Sequence, residues 1–150
     1  MTDLQDLYQE LILDHNKRPR NFGTIDHPDC HAQGFNPLCG DRVDIFLMLA
    51  DGVIRDVRFE GKGCAISTAS ASIMTDAVKG KTIEQARALF EKFHDLLTVS
   101  SDEPIDADGL GKLAAFSGVR QYPARVKCAT LAWHTLNAAL KNQAQTISTE

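Results

Sequence analysis

The stretch "VDIFLMLADGVIRDVRFE", residues 43–60, decides the fold class, because apolar and polar residues alternate on both sides of Asp51-Gly52. A period of two predicts two antiparallel strands joined by a tight turn, with one face of the hairpin buried. A two-residue loop at Asp51-Gly52 would set Leu47 opposite Asp56 and mix the two faces. A loop one residue longer pairs apolar positions with one another, so we predict the longer loop.

Helical periodicity surrounds this hairpin on both sides. A first helix runs to about residue 16, and a short edge strand is expected near 31–35. Later helices are predicted by apolar residues three or four apart and by capping signals. They cover 65–79, 82–97, 110–119 and about 124–142, with a polar linker over 100–109 and a frayed tail over 143–150.

Strands that come before most of the helices favour an α+β fold. We expect a small antiparallel β-sheet of about three strands that is covered by helices. With 150 residues, no repeats and no linker between two cores, the chain is expected to form a single domain over 1–150.

Composition and charge exclude several classes of protein. The formal net charge is −4 and there is no block of basic residues, which argues against nucleic-acid binding. No apolar run of about 18 residues predicts a membrane span, and the first residues do not have the pattern of a signal peptide. We therefore expect a cytoplasmic protein with no membrane partner, whose four cysteines are reduced. Reduced cysteines favour metal ligation or thiol chemistry over disulfides.

Three of the cysteines stand at predicted element ends. Cys39 precedes a strand, Cys64 opens a helix and Cys128 lies in the first turns of the last helix. Helix N-termini stabilise thiolates, which serve both as zinc ligands and as nucleophiles. Three thiolates leave a tetrahedral zinc one ligand short, and Asp41 can complete the set because Gly40 frees the backbone between it and Cys39. The alternatives are buried, inert cysteines and an aspartate that belongs to a turn.

The remaining thiol and imidazoles are expected to lie elsewhere. Cys30, flanked by His27 and His31, is predicted to be a surface thiol. His134 lies six residues after Cys128, about 120° away around the helix, and should not share its site. The last two histidines are expected to be structural or solvated; they are His15 and His94.

Four segments carry a family resemblance: "LYQELILDHNKRPRNFG" (7–23), "NPLCGD" (36–41), "FEGKGCAISTASASIMTDAVKGK" (59–81) and "RVKCATLAWHTL" (125–136). Together they resemble the IscU/NifU-like iron–sulfur cluster assembly family and cover nearly the whole chain. The resemblance implies the SufE/NifU fold and a role in iron–sulfur cluster assembly.

Two features resemble the SufU type within that family. Lys127 directly precedes Cys128, the last of the three proposed cysteine ligands, where scaffold-type members usually have histidine. Residues 99–119 resemble a SufU-type insertion. The SufU type implies Zn²⁺ bound by four ligands, with an Fe–S cluster as the alternative cofactor. It also implies a pyridoxal-phosphate-dependent, SufS-type cysteine desulfurase as partner and downstream Fe–S assembly proteins. The implied ligands are Cys39, Asp41, Cys64 and Cys128.

By the same resemblance, Cys39 accepts persulfide sulfur after a partner histidine replaces it on the metal. Arg125 and Lys127 are interpreted as supporting charge, since three thiolates and a carboxylate around Zn²⁺ leave a net −2. For Lys127 a merely solvated position is the equal alternative. Three other functions remain open: a true cluster scaffold, a binding module with structural zinc, and, least favoured, a cysteine hydrolase.

Overall fold

The computed structural model describes residues 4–37, 40–98, 109–141 and 146–148. Helix α1 (Leu4–Lys17) comes first, followed by strands β1 (Cys30–Asn36), β2 (Asp41–Ala50) and β3 (Val53–Lys62). Helices α2 (Ala65–Val78) and α3 (Ile83–Thr98), a 3₁₀ helix (Gly111–Gln121), α4 (Pro123–Leu140) and the short strand β4 (Thr146–Ser148) complete the order. The predicted linker over 100–109 lies almost wholly outside the described residues.

The sheet has the strand order β3-β2-β1-β4. The first three strands pair antiparallel, as predicted, and β4 adds a parallel pairing to β1. Strand β1 is therefore an interior strand and not the expected edge. The tail, expected to be frayed, contributes this fourth strand through residues 146–148. The α+β class with an antiparallel sheet covered by helices is confirmed.

The hairpin loop differs from the prediction. Ala50 pairs with Val53, so the loop has two residues, Asp51 and Gly52, and both have positive φ angles (54° and 76°), as in the type I′ turns that suit hairpins. A register shift between Met48 and Leu49 then inserts one extra residue on β3. This β-bulge returns the apolar positions to one face, which the alternation alone could not reveal.

Helices cover the inner face of the sheet. Helix α4 contacts β1 and β2, while α2 contacts β3, α4 and α1. Trp133 of α4 is fully buried and stacks near Phe90 and Phe93 of α3, with ring centroids 5.8 and 5.4 Å away. The predicted capping box of α3 is confirmed, because Thr82 and Gln85 exchange hydrogen bonds of 3.0 and 3.1 Å.

Helix α4 approaches β1 closely at one glycine. A Cβ atom at Gly34 would collide with Thr135 Oγ1 and lie 3.1 Å from Leu131 Cδ1. Hydrogen is therefore the only side chain that lets the helix lie at this distance from the strand. No helix among the described residues is both long enough and apolar enough to cross a membrane.

Candidate metal centre

Three of the four predicted ligands meet at one end of the sheet. Asp41 is the first residue of β2, Cys64 precedes α2, and Cys128 is the sixth residue of α4. One ligand atom from each lies within 4.8 Å of the others, although the residues are 23 and 64 positions apart in sequence. Asp41 and Cys128 are buried, whereas Cys64 is exposed. The site is therefore anchored in the core and open on one side.

The fourth predicted ligand, Cys39, lies outside the described residues. Its neighbourhood is fixed on both sides, since Asn36 pairs with Asp41 across β1 and β2. Residues 37–40 thus form a four-residue connection, and its last residue, Gly40, has a φ of 70°. The chain enters and leaves this connection beside Asp41.

The carboxylate of Asp41 is held by the start of α2. Its Oδ1 accepts a 2.9 Å hydrogen bond from the backbone N–H of Cys64, and its Oδ2 lies 3.9 Å from Cys64 Sγ. Gly63 leaves room for this contact, because a Cβ atom there would lie 2.8 Å from Oδ1. Oδ1 is therefore bound to the protein backbone, and Oδ2 faces the sulfur atom of Cys64.

Cys64 serves as the N-cap of α2. Its backbone is extended (φ −70°, ψ 170°) and its Sγ accepts a 3.5 Å hydrogen bond from the N–H of Ser67. An N-cap side chain normally satisfies one of the free N–H groups of the first turn. Here a sulfur atom takes that place, where the partial positive charge of the helix end favours a thiolate.

Cys128 is contacted from the sheet. Asn36, which is fully buried at the end of β1, points its Nδ2 at Cys128 Sγ at a distance of 3.7 Å. In the thiol form, Cys128 also donates to the carbonyl of Ala124, 3.6 Å away. The sulfur thus lies between α4 and the strand that leads into the Cys39 segment.

The donor set fits a zinc-sized ion. Three atoms no more than 4.8 Å apart lie within about 2.8 Å of a common centre, so shifts of about half an ångström bring them to Zn–S and Zn–O distances. Two sulfurs and one carboxylate oxygen form a mixed, sulfur-rich set of the kind that zinc accepts. Without a cation, three groups that can each carry negative charge face one another.

The two cations proposed as supporting charge lie at the entrance of α4. Arg125 is exposed, and its guanidinium carbon lies 5.5 Å from the centre of the Tyr122 ring. Lys127 is partly exposed. Within the described part of the chain, neither residue makes an ion pair with Asp41. No ion pair with Asp41 therefore supports the predicted role of Arg125 and Lys127 as supporting charge.

Cys30 is not the surface thiol that was predicted. It is 7% exposed on the inner face of β1, and burial raises the pKa of its thiol. His31, the next residue, points to the opposite face, where it stacks on Phe46 and contacts Asp44 at 3.3 Å. Adjacent strand residues face opposite ways, so the Cys30–His31 pair cannot share a ligand.

His134 and His15 contact residues outside the cluster. His134 packs against Phe90 and His94 of α3, with ring centroids 5.0 and 6.2 Å away, and burial lowers its pKa. His15 is fully buried and contacts Ser72 Oγ at 2.7 Å. The expectation that His134 does not join the Cys128 site agrees with this placement.

Sequence reasoning missed two residues of the site, Asn36 and Gly63. The residues of β1 that face inward are Cys30, Ala32, Gly34 and Asn36, an alternation of small and polar side chains that does not read as a buried strand. Extending that period of two would have placed Asn36 on the inner face. Gly63 reads as a plain turn residue until the position of Asp41 is known.

The chain belongs to the NifU-like N-terminal domain family, whose model matches residues 7–129. Among its relatives is the zinc-dependent sulfurtransferase SufU of Bacillus subtilis, 41% identical over 94% of each chain. The iron–sulfur cluster assembly scaffold protein IscU of Streptococcus pyogenes is 40% identical over 96% of this chain and 89% of its own. A solved structure of a SUF-system scaffold protein, described as putative and from Fervidobacterium islandicum, superposes with a TM-score of 0.81 at 35% identity, covering 92% of this chain and 99% of that chain.

Proposed function

We propose that this protein takes part in iron–sulfur cluster assembly as a zinc-dependent acceptor of persulfide sulfur. The observation that carries the proposal is the convergence of Asp41, Cys64 and Cys128 within 4.8 Å, next to the segment that contains Cys39. The similarity to a zinc-dependent sulfurtransferase over nearly the full length supports the same reading.

In this proposal, Asp41, Cys64 and Cys128 hold the ion and Cys39 is the fourth ligand and the acceptor. Bound Zn²⁺ supplies positive charge that keeps its sulfur ligands deprotonated at neutral pH. The three described ligands lie at the start of β2, at the N-cap of α2 and on α4, and two of them, Asp41 and Cys128, are buried in the core. Cys39 belongs to the short connection between β1 and β2.

The sulfur transfer itself is thiol exchange. The Cys39 thiolate attacks the terminal sulfur of a cysteine persulfide on the donor enzyme, and a new S–S bond forms on Cys39. The S–S bond in the donor breaks, and the donor cysteine leaves as a thiolate. Electrons balance without an added oxidant or reductant, because one persulfide is exchanged for another.

The partner we propose is a pyridoxal-phosphate-dependent cysteine desulfurase of the SufS type, since the acceptor needs a protein that presents persulfide sulfur. A histidine of that partner would replace Cys39 as the fourth ligand during docking. The sulfur would then pass to downstream Fe–S assembly proteins. Arg125 and Lys127, at the exposed start of α4, would offset part of the negative charge of the site.

A desulfurase assay tests the assignment. The protein is incubated with a SufS-type desulfurase and cysteine, and the sulfur bound to each thiol is located by mass spectrometry after alkylation. Cys39→Ala should abolish labelling of this protein, whereas Cys30→Ala, which removes a buried thiol outside the cluster, should leave the rate unchanged. Persulfide uptake at full rate by Cys39→Ala contradicts the proposal.

A cluster scaffold is the second candidate, favoured by the 40% identity to a relative that carries that name. The same cysteines and Asp41 would then hold an Fe–S cluster. Anaerobic reconstitution with iron and sulfide separates the two functions. A stoichiometric cluster that transfers to an apo-acceptor would support the scaffold, and a site that keeps zinc and takes up only sulfur would support the sulfur acceptor.

A further inference from the structure

Each described ligand group accepts a hydrogen bond from an N–H group of the protein. Asp41 Oδ1 accepts from the backbone of Cys64, and Cys64 Sγ accepts from the backbone of Ser67. Cys128 Sγ accepts from the side chain of Asn36. The donors of Cys64 and Ser67 are backbone groups, whereas the donor of Asn36 is a side-chain amide and depends on the identity of the residue.

Asn36 is placed where it can join two parts of the site. Its backbone pairs with Asp41 at the base of the connection 37–40, and its side chain reaches Cys128 across 92 positions of sequence. The residue is fully buried, so its amide is shielded from water. Hydrogen bonds to charged groups are stronger than neutral ones, and burial increases the penalty of losing them.

The geometry points to Asn36 as a positioning residue that holds Cys128 Sγ toward the metal and reduces the negative charge on that sulfur. The inference rests on the proposed function insofar as a divalent cation occupies the site. With two thiolates and a carboxylate facing one another, repulsion acts to separate the ligands. The Nδ2–H group at 3.7 Å opposes this repulsion at Cys128 and aims the sulfur at the common centre.

A direct test uses the unmodified protein loaded with ¹¹³Cd²⁺, which binds thiolate sites and is visible by NMR. A scalar coupling between the metal and the side-chain amide protons of Asn36, transmitted through Cys128 Sγ, is the expected result. A purely structural asparagine would give no such coupling. The measurement needs no variant, so it does not depend on how well a substituted protein folds.

A paired substitution measures the effect on affinity. Asn36→Leu keeps the volume and removes the donor, and it should weaken Zn²⁺ binding by about tenfold or more in competition with a chromophoric chelator. Gln33→Leu is the matched control, because Gln33 lies on the same strand and its amide contacts Asp44 rather than the site. The control should bind Zn²⁺ as tightly as the unmodified protein.

The outcomes separate this inference from the proposed function. If the protein binds Zn²⁺ and Cd²⁺ but Asn36 shows no coupling and Asn36→Leu keeps the full affinity, the inference is wrong and the metal site stands. If the unmodified protein binds neither metal, both are wrong. Coupling together with weakened binding confirms the positioning role.

Discussion

Two clusters of polar side chains pack against α2, and they are built on opposite plans. At the N-terminus of the helix, Asp41, Cys64 and Cys128 turn acceptor atoms toward one another. In the middle of the helix, Ser72 Oγ accepts from the backbone N–H of Arg20 at 2.8 Å and contacts the ring of His15 at 2.7 Å. The first cluster needs a cation to be complete, whereas the second pairs donors with acceptors within the chain.

Whether acceptors face one another or face donors distinguishes the first cluster, a binding site, from the second, a structural network, although both are largely buried. Burying polar groups is tolerated when each finds a partner. Ser72 Oγ and His15 Nδ1 meet that condition, whereas His15 Nε2 is buried without a partner among the described residues. The metal cluster brings three ligand atoms together around one point, which is the arrangement that a metal ion requires. Only the contacts of the first cluster should therefore control metal affinity, and those of the second should control stability.

The largest expected effect is on zinc affinity, from Asp41→Ala. Structural zinc contributes about 10–16 kcal/mol through four ligands, so losing one should weaken binding at least about 100-fold. Elemental analysis and chelator competition measure the change. Asp44→Ala is the matched control on the same strand, because Asp44 contacts His31 and Gln33 instead. Full zinc occupancy in Asp41→Ala would show that Asp41 is not a zinc ligand.

A methyl group at Gly63 should disturb the same cluster indirectly. The added Cβ would lie 2.8 Å from Asp41 Oδ1, so the carboxylate or the start of α2 must shift. We expect Gly63→Ala to weaken Zn²⁺ binding about tenfold and to destabilise the fold by about 1–3 kcal/mol.

Gly118→Ala is the control for that change, since a Cβ at Gly118 meets no atom within 4 Å. Chelator competition and urea unfolding should leave this variant close to the unmodified protein. Equal behaviour of the two alanine variants would contradict the tight contact at Gly63.

Ser72→Ala should lower the stability of the fold and leave zinc affinity unchanged. It leaves the N–H of Arg20 and the ring of His15 without their contact, which should lower the free energy of unfolding by about 1–3 kcal/mol in urea titration. Zinc affinity should not change. Ser67→Ala is a useful comparison on the same helix, because the backbone of Ser67 rather than its hydroxyl contacts Cys64. A large loss of zinc affinity in Ser72→Ala would contradict the claim that the His15–Ser72 cluster controls stability and not metal binding.

The smallest effect is a pH dependence of stability. Burial, together with the charges of Arg20 and Lys112, lowers the pKa of His15, and the fully buried ring is favoured in its neutral form. Because the folded-state pKa lies below the unfolded value near 6.5, the stability is present above that pH and is lost as pH falls.

One such histidine contributes a slope of at most about 1.4 kcal/mol per pH unit. His15→Gln should therefore flatten the loss of stability of the metal-free protein between neutral and acidic pH, measured by urea unfolding. His134, whose pKa is also lowered by burial, provides a second variant with the same expected sign. An unchanged slope in both variants would contradict the prediction.

Much of this arrangement follows from local sequence signals. The period of two in 43–60 and the capping box at Thr82 are strong patterns, and the structure bears out the hairpin and α3. The places of the cysteines at predicted element ends made a shared site possible, with buried, inert cysteines as the alternative, and the family resemblance favoured the metal site. Among the described residues, Asp41, Cys64 and Cys128 do converge.

Other features depend on tertiary packing and had no local signal. The bulge beside Met48 corrects the register of a two-residue turn, and alternation alone cannot distinguish that solution from a longer loop. The burial of Cys30 follows from its phase on β1, a strand whose inward face carries a glycine and an asparagine. The pairing of β4 with β1 needs residues about 110 positions apart to meet, which no local pattern in 143–150 indicates.

The close approach of α4 to β1 at Gly34 also bears on the position of the proposed metal ligand Cys128. Thr135, which occupies the space a side chain at Gly34 would need, lies two helical turns, about 10.5 Å, beyond Cys128 on the same face of α4. Gly34 and Asn36 likewise share one face of β1, so strand and helix touch at two points along a common line. We expect a side chain at Gly34 to push α4 away from β1, and Cys128, on the same face of the helix, to move with it. A larger residue at Gly34 would therefore shift Cys128, a proposed metal ligand that lies outside its nearest contacts.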